Sequence, residues 1–416
     1  MRILVITNFY PPHYIGGYEL GCKDVVDRLR LRGHEVSVLT STYGIENPEH
    51  SGHVYRWLQA EMSAGNKSTA SDFFELFKKE SINRRAFERV CELLDPELVY
   101  VWNATHISIS IALKAQECGR KVSYFISDQW LTRWEHDSLY SLRHHTPGSL
   151  HRRILWRPVA ALLTSAGFLP SGLLDLARVQ FASRFLKLAA LEFDPSLVSA
   201  EVIHWGIDTK RFTFNEEQRS PERLLYVGQL TALKGVSTAV QALRVIVDSK
   251  KHNSATLTIV GGPDYGDRIH QLVSDFGLEN RVRFTGLLQR ALLPQIYREH
   301  DILLFPSVWD EPFSIVLLEA MSSGLAVVGT NSGGSAEILE DGVNALVFSK
   351  SDPESCASQV LRLVQNPDYF QAIRRNGRRT IEGCFELEKM VDKIEASLKK
   401  QIGAAEIASA ATGGAL

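Results

Sequence analysis

The sequence is poor in cysteine, and its few cysteines follow no recognisable pattern. Five cysteines are scattered over 416 residues, and no C-x-x-C pair occurs. Disulfide frameworks and zinc ribbons need regularly spaced sets, and most of these sets are even in number. The sequence therefore excludes both frameworks, and we expect a reducing, cytoplasmic location.

An excess of charge and a long apolar run are also missing. Lys plus Arg is 46 and Asp plus Glu is 48, a formal charge of −2. Nucleic-acid binders usually carry a basic excess, so we expect no nucleic-acid partner. The chain contains no stretch of about 18 uninterrupted apolar residues, so we expect no transmembrane helix. The opening MRILVITNFYPP indicates a buried strand rather than a signal peptide.

Two common motifs are absent as well. Neither half contains the G-x-G-x-x-G dinucleotide fingerprint, which disfavours a nicotinamide-dependent oxidoreductase. No Asp-x-Asp motif is present to hold a divalent ion. We therefore expect no cofactor and no obligatory metal.

What the chain does contain is an alternation of strand and helix patterns. A length of 416 residues, 44% of them hydrophobic, suits two globular domains. Near-continuous apolar runs such as RILVIT and LVYVW indicate strands buried on both faces, and amphipathic segments lie between them. Repeated βα units predict an α/β fold with parallel sheets covered by helices.

The alternation restarts after a polar segment, which divides the chain. The predicted organisation is an N-terminal domain over 1–207, a linker over 208–222, a C-terminal domain over 223–385, a helix over 386–402 and a flexible tail over 403–416. Two doubly wound halves place a binding site in the cleft between them.

Two candidate anion-binding elements lie between strands and helices. Gly16 and Gly17 in PPHYIGGYEL would let the backbone approach a phosphate or a sugar, although taken alone the two glycines favour a tight strand–helix turn. Lys234 in YVGQLTALKGV stands beside a predicted helix start and suits a diphosphate. A solvated surface lysine is the alternative.

The segment FPSVWDEPFSIVLLEAM carries two glutamates, Glu311 and Glu319, around a predicted helix start near Phe313. Free N–H groups of Phe313, Ser314 and Ile315 would point at an anion. Carboxylates accept hydrogen bonds from sugar and ribose hydroxyls. The alternative is a helix-capping Glu311 and an exposed Glu319.

Taken together, these motifs resemble the retaining, nucleotide-sugar-dependent glycosyltransferases of family 4, also called glycosyl transferases group 1. The resemblance extends over nearly the whole chain and also includes LTIVGGP, VRFTG and NSGGSAEIL. It implies the GT-B fold, in which two Rossmann-like domains face each other across a cleft. The C-terminal domain would hold the donor, and the N-terminal domain would hold most of the acceptor.

The resemblance assigns roles to the residues of the Glu-x7-Glu segment. Glu311 would hydrogen-bond the donor sugar hydroxyls, and Glu319 would bind the ribose hydroxyls of the nucleotide. The backbones of Phe313, Ser314 and Ile315 would lie along the sugar and the diphosphate.

Further roles fall outside that segment. Lys234 would neutralise the diphosphate, and Gly16 and Gly17 would approach the transferred sugar and phosphate from the opposite wall. The resemblance also implies that no metal is obligatory. Asp128 is retained at the end of the segment KVSYFISDQW, and together with Glu311 and Lys234 it forms the predicted catalytic set.

The chain departs from the family pattern at two positions. Gln229 stands where an arginine is usual, and an amide cannot supply the missing charge of the diphosphate clamp. Ser127 stands where a histidine usually contacts the donor sugar. His13 or His106 could substitute for that histidine, but ordinary loop or helix-end structure explains both residues.

A basic and aromatic segment over 133–157 precedes an apolar stretch over 159–174. This combination suits a lipid-linked acceptor and peripheral contact with the inner face of the plasma membrane. A solvated insertion packed on the N-terminal domain is the alternative, and interruptions by proline and glycine favour it.

The sequence therefore predicts a retaining hexosyltransferase that uses a nucleotide-sugar donor. UDP-sugar is the first choice and GDP-sugar the second, and the acceptor is a sugar, a lipid-linked compound or a polysaccharide. The pathway would be polysaccharide or glycolipid biosynthesis. A catalytically weak nucleotide-sugar-binding protein, a GT-B epimerase and a phosphorylase remain alternatives, although no pyridoxal-phosphate lysine context supports the phosphorylase.

Overall fold

The computed structural model describes residues 1–47, 49–62, 70–132, 137, 158–159, 161–166, 169, 172–214, 216, 220–249, 254–262 and 268–412. These residues form two compact units. The N-terminal unit consists of Met1–Ala182, Leu186–Ile203 and Val391–Leu416, and the C-terminal unit consists of Ser183–Phe185 and His204–Met390. Of the basic segment 133–157, only Asp137 lies within the described residues.

The N-terminal unit is built on a mostly parallel sheet. Its described strands have the order β3-β4-β2-β1-β5-β6-β7-β8, and only the β3–β4 pair is antiparallel. The strands are β1 (Arg2–Thr7), β2 (Glu35–Ser41), β3 (Glu49–Ser51), β4 (Val54–Leu58), β5 (Leu98–Asn103), β6 (Lys121–Ile126), β7 (Val179–Phe181) and β8 (Glu201–Val202). Every residue of β5 is buried, and so are all residues of β1 after Arg2, as expected of central strands covered on both faces.

Helices cover this sheet, as the alternating sequence pattern predicts. They are α1 (Gly17–Leu31), α2 (Ala70–Leu94), α3 (Ser110–Glu117) and α4 (Arg184–Phe193). In α1, Cys22, Val25, Val26 and Leu29 are fully buried, so its apolar stripe forms part of the core.

The C-terminal unit holds a second sheet, which is parallel throughout its described strands. Its order is β11-β10-β9-β12-β13-β14. The strands are β9 (Arg223–Val227), β10 (Thr256–Val260), β11 (Val282–Gly286), β12 (Ile302–Phe305), β13 (Ala326–Gly329) and β14 (Leu346–Val347). The helices are α5 (Val236–Asp248), α6 (Arg268–Asp275), α7 (Leu293–Glu299), α8 (Ile315–Ser323), α9 (Pro353–Gln365) and α10 (Pro367–Cys384).

The last helix, α11 (Leu387–Thr412), is longer than the sequence indicates. It extends beyond the predicted helix over 386–402 and into the predicted tail over 403–416 as far as Thr412, through small, helix-compatible residues. From Val391 onward the helix belongs to the N-terminal unit. There Lys121 donates to the carbonyl of Ile402 at 3.0 Å.

An ion cluster ties α11 to the N-terminal unit. The Arg32 guanidinium donates to Glu395 Oε2 at 2.8 Å and lies 2.7 Å from Asp392. The His34 ring lies 3.0 Å from Glu395 Oε1, and Lys399 also pairs with Glu395. Hydrogen bonds from Lys399 and Arg32 lower the pKa of Glu395 to about 2.

The predicted linker over 208–222 is not simply a polar connector. Phe212 is fully buried, and its ring lies 6.0 Å from that of Tyr297. Its carbonyl accepts bonds from Ser322 Oγ at 2.7 Å and from the Arg378 guanidinium at 2.9 Å. The start of this segment is therefore an integral part of the C-terminal unit, because a buried aromatic ring anchors it there.

Candidate active site

An ion pair between Lys234 and Glu311 is the centre of the predicted donor site. Lys234 Nζ donates to both carboxylate oxygens of Glu311, at 2.6 Å to Oε1 and 2.9 Å to Oε2. The Glu311 side chain is only 7% exposed, and that of Lys234 is 24% exposed. Charge-assisted bonds in such a sheltered place are stronger than at an open surface. The structure thus joins two residues that the sequence separates by 77 positions.

Two further side chains fix this pair. Ser307 Oγ donates to Glu311 Oε1 at 2.9 Å. The ammonium of Lys234 lies 4.7 Å from the centroid of the Trp309 ring, close enough for a cation–π interaction. Because a carboxylate offers about four acceptor sites, Glu311 still has room for a hydroxyl donor.

Lys234 is held in place by the backbone turn that follows it. The residues Ala232–Lys234 form a single 3-10 turn, and Gly235 adopts a left-handed conformation with φ of +70° before α5 begins. A Cβ atom at this glycine would lie 1.9 Å from the carbonyl oxygen of Pro306. Only glycine allows the Lys234 turn to pack so closely against the exit of β12.

The glycines of NSGGSAEIL hold the backbone of Glu311. Gly333 pairs with Glu311 in a parallel bridge, and Gly334 N–H donates to the Glu311 carbonyl at 2.6 Å. A Cβ atom at Gly334 would lie 2.1 Å from the carbonyl oxygen of Pro312. This motif therefore supports the Glu311 loop.

Helix α8 begins four residues after Glu311, and several N–H donors at its start are open. Ser314 is the N-cap, in an extended conformation, and Ile315 is the first helical residue. Within the described residues, no hydrogen bond is made by the backbone N–H of Phe313, Ser314 or Ile315. Such a helix start can bind an anion.

The side chain of Phe313 has a separate, packing role. Its ring lies 5.5 Å from His204 and 5.8 Å from Phe385 within the C-terminal unit. It is 8% exposed. These ring contacts fix the position of Phe313 and therefore of its backbone N–H.

Glu319 is buried in α8 and does not have the exposed position of the alternative interpretation. Its residue exposure is 3%, and Tyr297 Oη donates to Glu319 Oε2 at 2.9 Å. Burial, together with the neighbouring Glu319 carboxylate, raises the pKa of Tyr297 well above its usual value. The phenol therefore remains a donor, which fixes the carboxylate of Glu319.

Gln229 is exposed at the end of β9, so its side chain is accessible. Its backbone carbonyl accepts a bond from Tyr226 Oη at 2.8 Å. Burial and the nearby Glu311 raise the pKa of Tyr226. The tyrosine keeps its proton and holds the turn between β9 and Lys234.

Glu337 accepts three hydrogen bonds inside the C-terminal unit. The N–H groups of Arg184 and Phe185 donate to it at 3.0 and 2.9 Å, and the His204 ring lies 2.8 Å away. Burial raises the pKa of Glu337, but the bonds from His204, Arg184 and Phe185 outweigh it and hold the pKa below its ordinary value. Its role is to fix the segment that starts α4.

In the N-terminal unit, a carboxylate already occupies part of the predicted Gly16–Gly17 site. The N–H groups of Gly16 and Ile15 donate to the side chain of Glu19 at 2.9 and 3.3 Å. Glu19 is fully buried, and this burial raises its pKa. The donor of Gly16 is thereby satisfied, and Gly17 begins α1.

Asp128 lies at the carboxyl end of β6 and is held from two sides. Asn103 Nδ2 donates to Asp128 Oδ2 at 2.7 Å, and Trp130 N–H donates to Oδ1 at 2.9 Å. The adjacent Ser127 is 6% exposed, and its Oγ has no hydrogen-bond partner among the described residues.

The sequence predicted no role for three residues that contact the predicted site residues. Ser307 and Trp309 lie in the quoted FPSVWDEPF loop, where the aromatic residue just before Glu311 was the available signal. Glu19 follows Gly16 by three positions, the spacing of a capping box. Within the described residues, no group of three or more His, Cys, Asp or Glu side chains could hold a metal ion. The expectation of metal independence stays a prediction.

Comparison with known proteins establishes the family. Residues 208–380 match the profile of the family described as glycosyl transferases group 1. The chain is 31% identical over 421 residues to the glycogen synthase of Mycobacterium tuberculosis, which covers 93% of this chain and 91% of that protein. The chain belongs to the glycosyl transferases group 1 family. It is also 25% identical over 412 residues to the uncharacterized glycosyltransferase MJ1607 of Methanocaldococcus jannaschii, which covers 92% and 93% of the two chains.

Solved structures show the same fold for this glycosyltransferase. Anabaena Alr3699/HepE in complex with UDP and glucose has a TM-score of 0.70 at 20% identity, with 96% of this chain and 100% of that chain covered. Sucrose-phosphate synthase from Thermosynechococcus elongatus has a TM-score of 0.71 at 19% identity, with 97% and 99% covered. The α/β fold of GT-B type predicted from the sequence is confirmed.

No described helix of the enzyme is both long enough and apolar enough to span a bilayer.

Proposed function

We propose that this glycosyltransferase moves a hexose from UDP-sugar to an acceptor hydroxyl with retention of anomeric configuration, in polysaccharide or glycolipid biosynthesis. Family membership already gives glycosyl transfer from a nucleotide sugar, and the proposal adds the nucleotide, the sugar class and the stereochemistry. The similarity to a glycogen synthase supports a hexose. The likeness to a structure solved with UDP and glucose supports UDP.

The main support for the proposal is the pair of hydrogen bonds from Lys234 to both carboxylate oxygens of Glu311, four residues before the start of α8. Glu311 would accept a hydroxyl of the transferred sugar at its remaining acceptor positions. Lys234, held against Trp309, would supply positive charge to the departing diphosphate. The open N–H groups at the helix start would add donors to the same phosphates.

Glu319 would accept hydrogen bonds from the ribose hydroxyls through the carboxylate that Tyr297 positions. A group with a fixed orientation loses little entropy when a ligand binds. This contact would anchor the nucleotide, while Glu311 and Lys234 act on the sugar and the phosphates.

Retention would require substitution on the face from which the diphosphate leaves, since no enzymatic nucleophile is assigned that could form a covalent intermediate. The bond between the anomeric carbon and the diphosphate oxygen would break, and the acceptor oxygen would bond to that carbon from the same face. The departing diphosphate oxygen would take the proton of the acceptor hydroxyl. Lys234 and the α8 helix start would stabilise the charge that develops on this leaving group.

The test begins with thermal-shift screening against UDP, GDP, ADP and dTDP and then against their sugars, since a ligand that binds the folded state raises its stability. We expect UDP and a UDP-hexose to give the largest shifts. Turnover with that donor, followed by NMR of the product's anomeric proton, tests retention. A larger shift with GDP would refute the nucleotide assignment, and an inverted product would refute the stereochemistry.

A catalytically weak binding protein is the second candidate, because exposed Gln229 stands where a cation is usual. Measuring binding separately from hydrolysis and transfer discriminates the two. Tight UDP-sugar binding without turnover would favour the second candidate. The Gln229→Arg variant should then bind donor more tightly and gain turnover.

Reversible membrane contact through the basic segment 133–157 is a further part of the proposal, and it rests on sequence alone. Four arginines lie in 143–157 with no Asp or Glu among them. Each basic charge near an anionic leaflet contributes about 1 kcal/mol, so binding should be sensitive to salt. Co-sedimentation with anionic and neutral vesicles at low and high salt is the test, and failure to bind either vesicle type would refute the contact.

A further inference from the structure

Phe212 lies against both elements that hold the carboxylate of Glu319. Glu319 belongs to α8, and Tyr297, whose Oη donates to Glu319 Oε2 at 2.9 Å, belongs to α7. Phe212 belongs to neither helix, yet its side chain and that of Tyr297 are both fully buried. The contacts that Phe212 makes inside the C-terminal unit reach both helices.

The first contact is between rings. The Phe212 and Tyr297 rings lie edge to face, with 6.0 Å between their centroids and 68° between their planes. This arrangement is favourable for aromatic pairs. Because a packed neighbour restricts the rotamers that a buried side chain can adopt, the Phe212 ring keeps the Tyr297 phenol directed at Glu319.

The second contact joins the backbone of Phe212 to α8. Ser322 Oγ donates to the Phe212 carbonyl at 2.7 Å, and Ser322 follows Glu319 by three residues, less than one helical turn. The Arg378 guanidinium donates to the Phe212 carbonyl at 2.9 Å and to the Ser322 carbonyl at 2.8 Å. Phe212 is therefore fixed relative to the helix that carries Glu319.

A closed turn presents Phe212 to these partners. The Phe212 N–H donates to the Asp208 carbonyl at 3.0 Å. Asp208 Oδ1 accepts from the N–H groups of Lys210 and Arg211 at 3.0 and 3.3 Å. None of these bonds involves the Phe212 ring, so a replacement of the ring leaves the turn and the bonds to its carbonyl in place.

We propose that Phe212 is a positioning residue for nucleotide recognition: its ring holds the Tyr297 phenol against Glu319 and thereby fixes the carboxylate in the orientation that accepts the ribose hydroxyls. A carboxylate held in this way loses little entropy when the ribose binds. Without the ring, the preference for a ribonucleotide over a nucleotide that lacks these hydroxyls falls. This inference rests on the proposed function, because it takes Glu319 as the ribose contact.

The test is calorimetric titration of the full chain with UDP and with 2′,3′-dideoxy-UDP, which lacks both ribose hydroxyls. We call the ratio of the two affinities the ribose discrimination. In the wild type we expect a ratio of about tenfold or more. Phe212→Leu should lower this ratio about three- to tenfold by weakening UDP binding alone, since the phosphate contacts are unchanged.

Phe370→Leu is the matched control for a loss of packing. Phe370 is 1% exposed and packs in the hydrophobic core of the same unit. Its replacement should lower the thermal stability as Phe212→Leu does, yet leave the ribose discrimination at the wild-type value. If Phe212→Leu does not fold, Phe212→Met is measured in its place, since its flexible side chain fills irregular gaps in a core.

Tyr297→Phe shows whether Phe212 acts through the phenol. This variant should lower the ribose discrimination by itself, and adding Phe212→Leu should lower it no further, because both changes remove the same contact to Glu319. Additive losses in the double variant would overturn the inference.

Two other results separate the inference from the proposed function. Wild-type discrimination that persists in full in Phe212→Leu, or an equal loss of affinity for both nucleotides, would overturn the inference alone and leave Phe212 a packing role. Equal binding of UDP and 2′,3′-dideoxy-UDP by the wild type would refute the ribose contact of Glu319 and with it the inference. Loss of all UDP binding in the wild type would refute the proposed function itself.

Discussion

Replacing Lys234 with methionine tests the ion pair at the centre of the active site. The change keeps a long apolar stem and removes the ammonium that donates to both oxygens of Glu311. Glu311 would then keep the bond from Ser307 at 2.9 Å but lose its countercharge. Because its side chain is 7% exposed, water can replace the lost donor only in part.

The magnitude follows from this burial. Removing one partner of a fully buried ion pair costs about 3–5 kcal/mol, whereas an exposed pair contributes about 0–1 kcal/mol. The Lys234 side chain is 24% exposed, which places this pair between those limits and nearer the buried one. We therefore expect Lys234→Met to lower the free energy of unfolding by roughly 2–3 kcal/mol.

Glu311→Gln provides the matched partner variant. The double variant should recover part of the stability, because it removes the unpaired charge. The coupling energy from the double-mutant cycle should be about 1–3 kcal/mol. Urea unfolding monitored by tryptophan fluorescence measures all four proteins, and Trp309 lies beside the changed ammonium.

Catalysis gives an independent readout of the same residue. Lys234→Met should lower turnover with UDP-hexose on the order of 100-fold, because the leaving diphosphate loses its cation. Additive effects in the cycle, with normal turnover in Lys234→Met, would refute both the coupling and the role assigned to Lys234.

Three further predictions concern other parts of the two units. Glu319→Ala should weaken UDP binding by about 1–3 kcal/mol and leave the Tyr297 phenol unpaired, whereas Glu319→Gln should restore stability more than affinity. Calorimetry measures the UDP affinity and thermal unfolding measures the stability, and unchanged UDP affinity in both variants would remove Glu319 from the site. Gly235→Ala should unfold at a clearly lower urea concentration than Gly277→Ala. Both glycines have positive φ, but a new Cβ at Gly235 would lie 1.9 Å from a carbonyl oxygen, whereas nothing lies within 4 Å of a new Cβ at Gly277. Equal unfolding midpoints would contradict this. The depressed pKa of Glu395 stabilises the folded state above about pH 4.5, and this contribution is lost as pH falls towards about 2. Glu395→Gln should therefore flatten the pH dependence of the unfolding midpoint over that range, and an unchanged slope would refute this contribution.

Local patterns in the sequence account for most of the strands that carry the site. Runs such as RILVIT and LVYVW are apolar enough to be central strands in any doubly wound sheet. The short strands β3, β4 and β7 were not predicted, because β-pairing of such short segments depends on neighbours rather than on a clear pattern. The order of the motifs likewise indicated the family, since the motifs lie after strand ends, where α/β folds bind their ligands.

Long-range partners could not be inferred in the same way. The sequence provided Glu311 and Lys234 as separate candidates, but their bond depends on the turn at Gly235 and on the bridge from Gly333. Similarly, a glutamate in NSGGSAEIL indicates only a helix start. Its bonds to Arg184 and Phe185 depend on a segment about 150 positions earlier in the chain.

Apolar periodicity and motif order are local properties of the chain, so they were enough to predict two α/β units with largely parallel sheets and to place the protein among glycosyltransferases. The contribution of α11 to the N-terminal unit and the anchoring of the predicted linker by Phe212 emerge only from tertiary packing. Tertiary packing also decided that Glu19 occupies the Gly16 donor. In each case the reason is physical: a buried ring or charge is stable only beside the particular partner that folding brings to it.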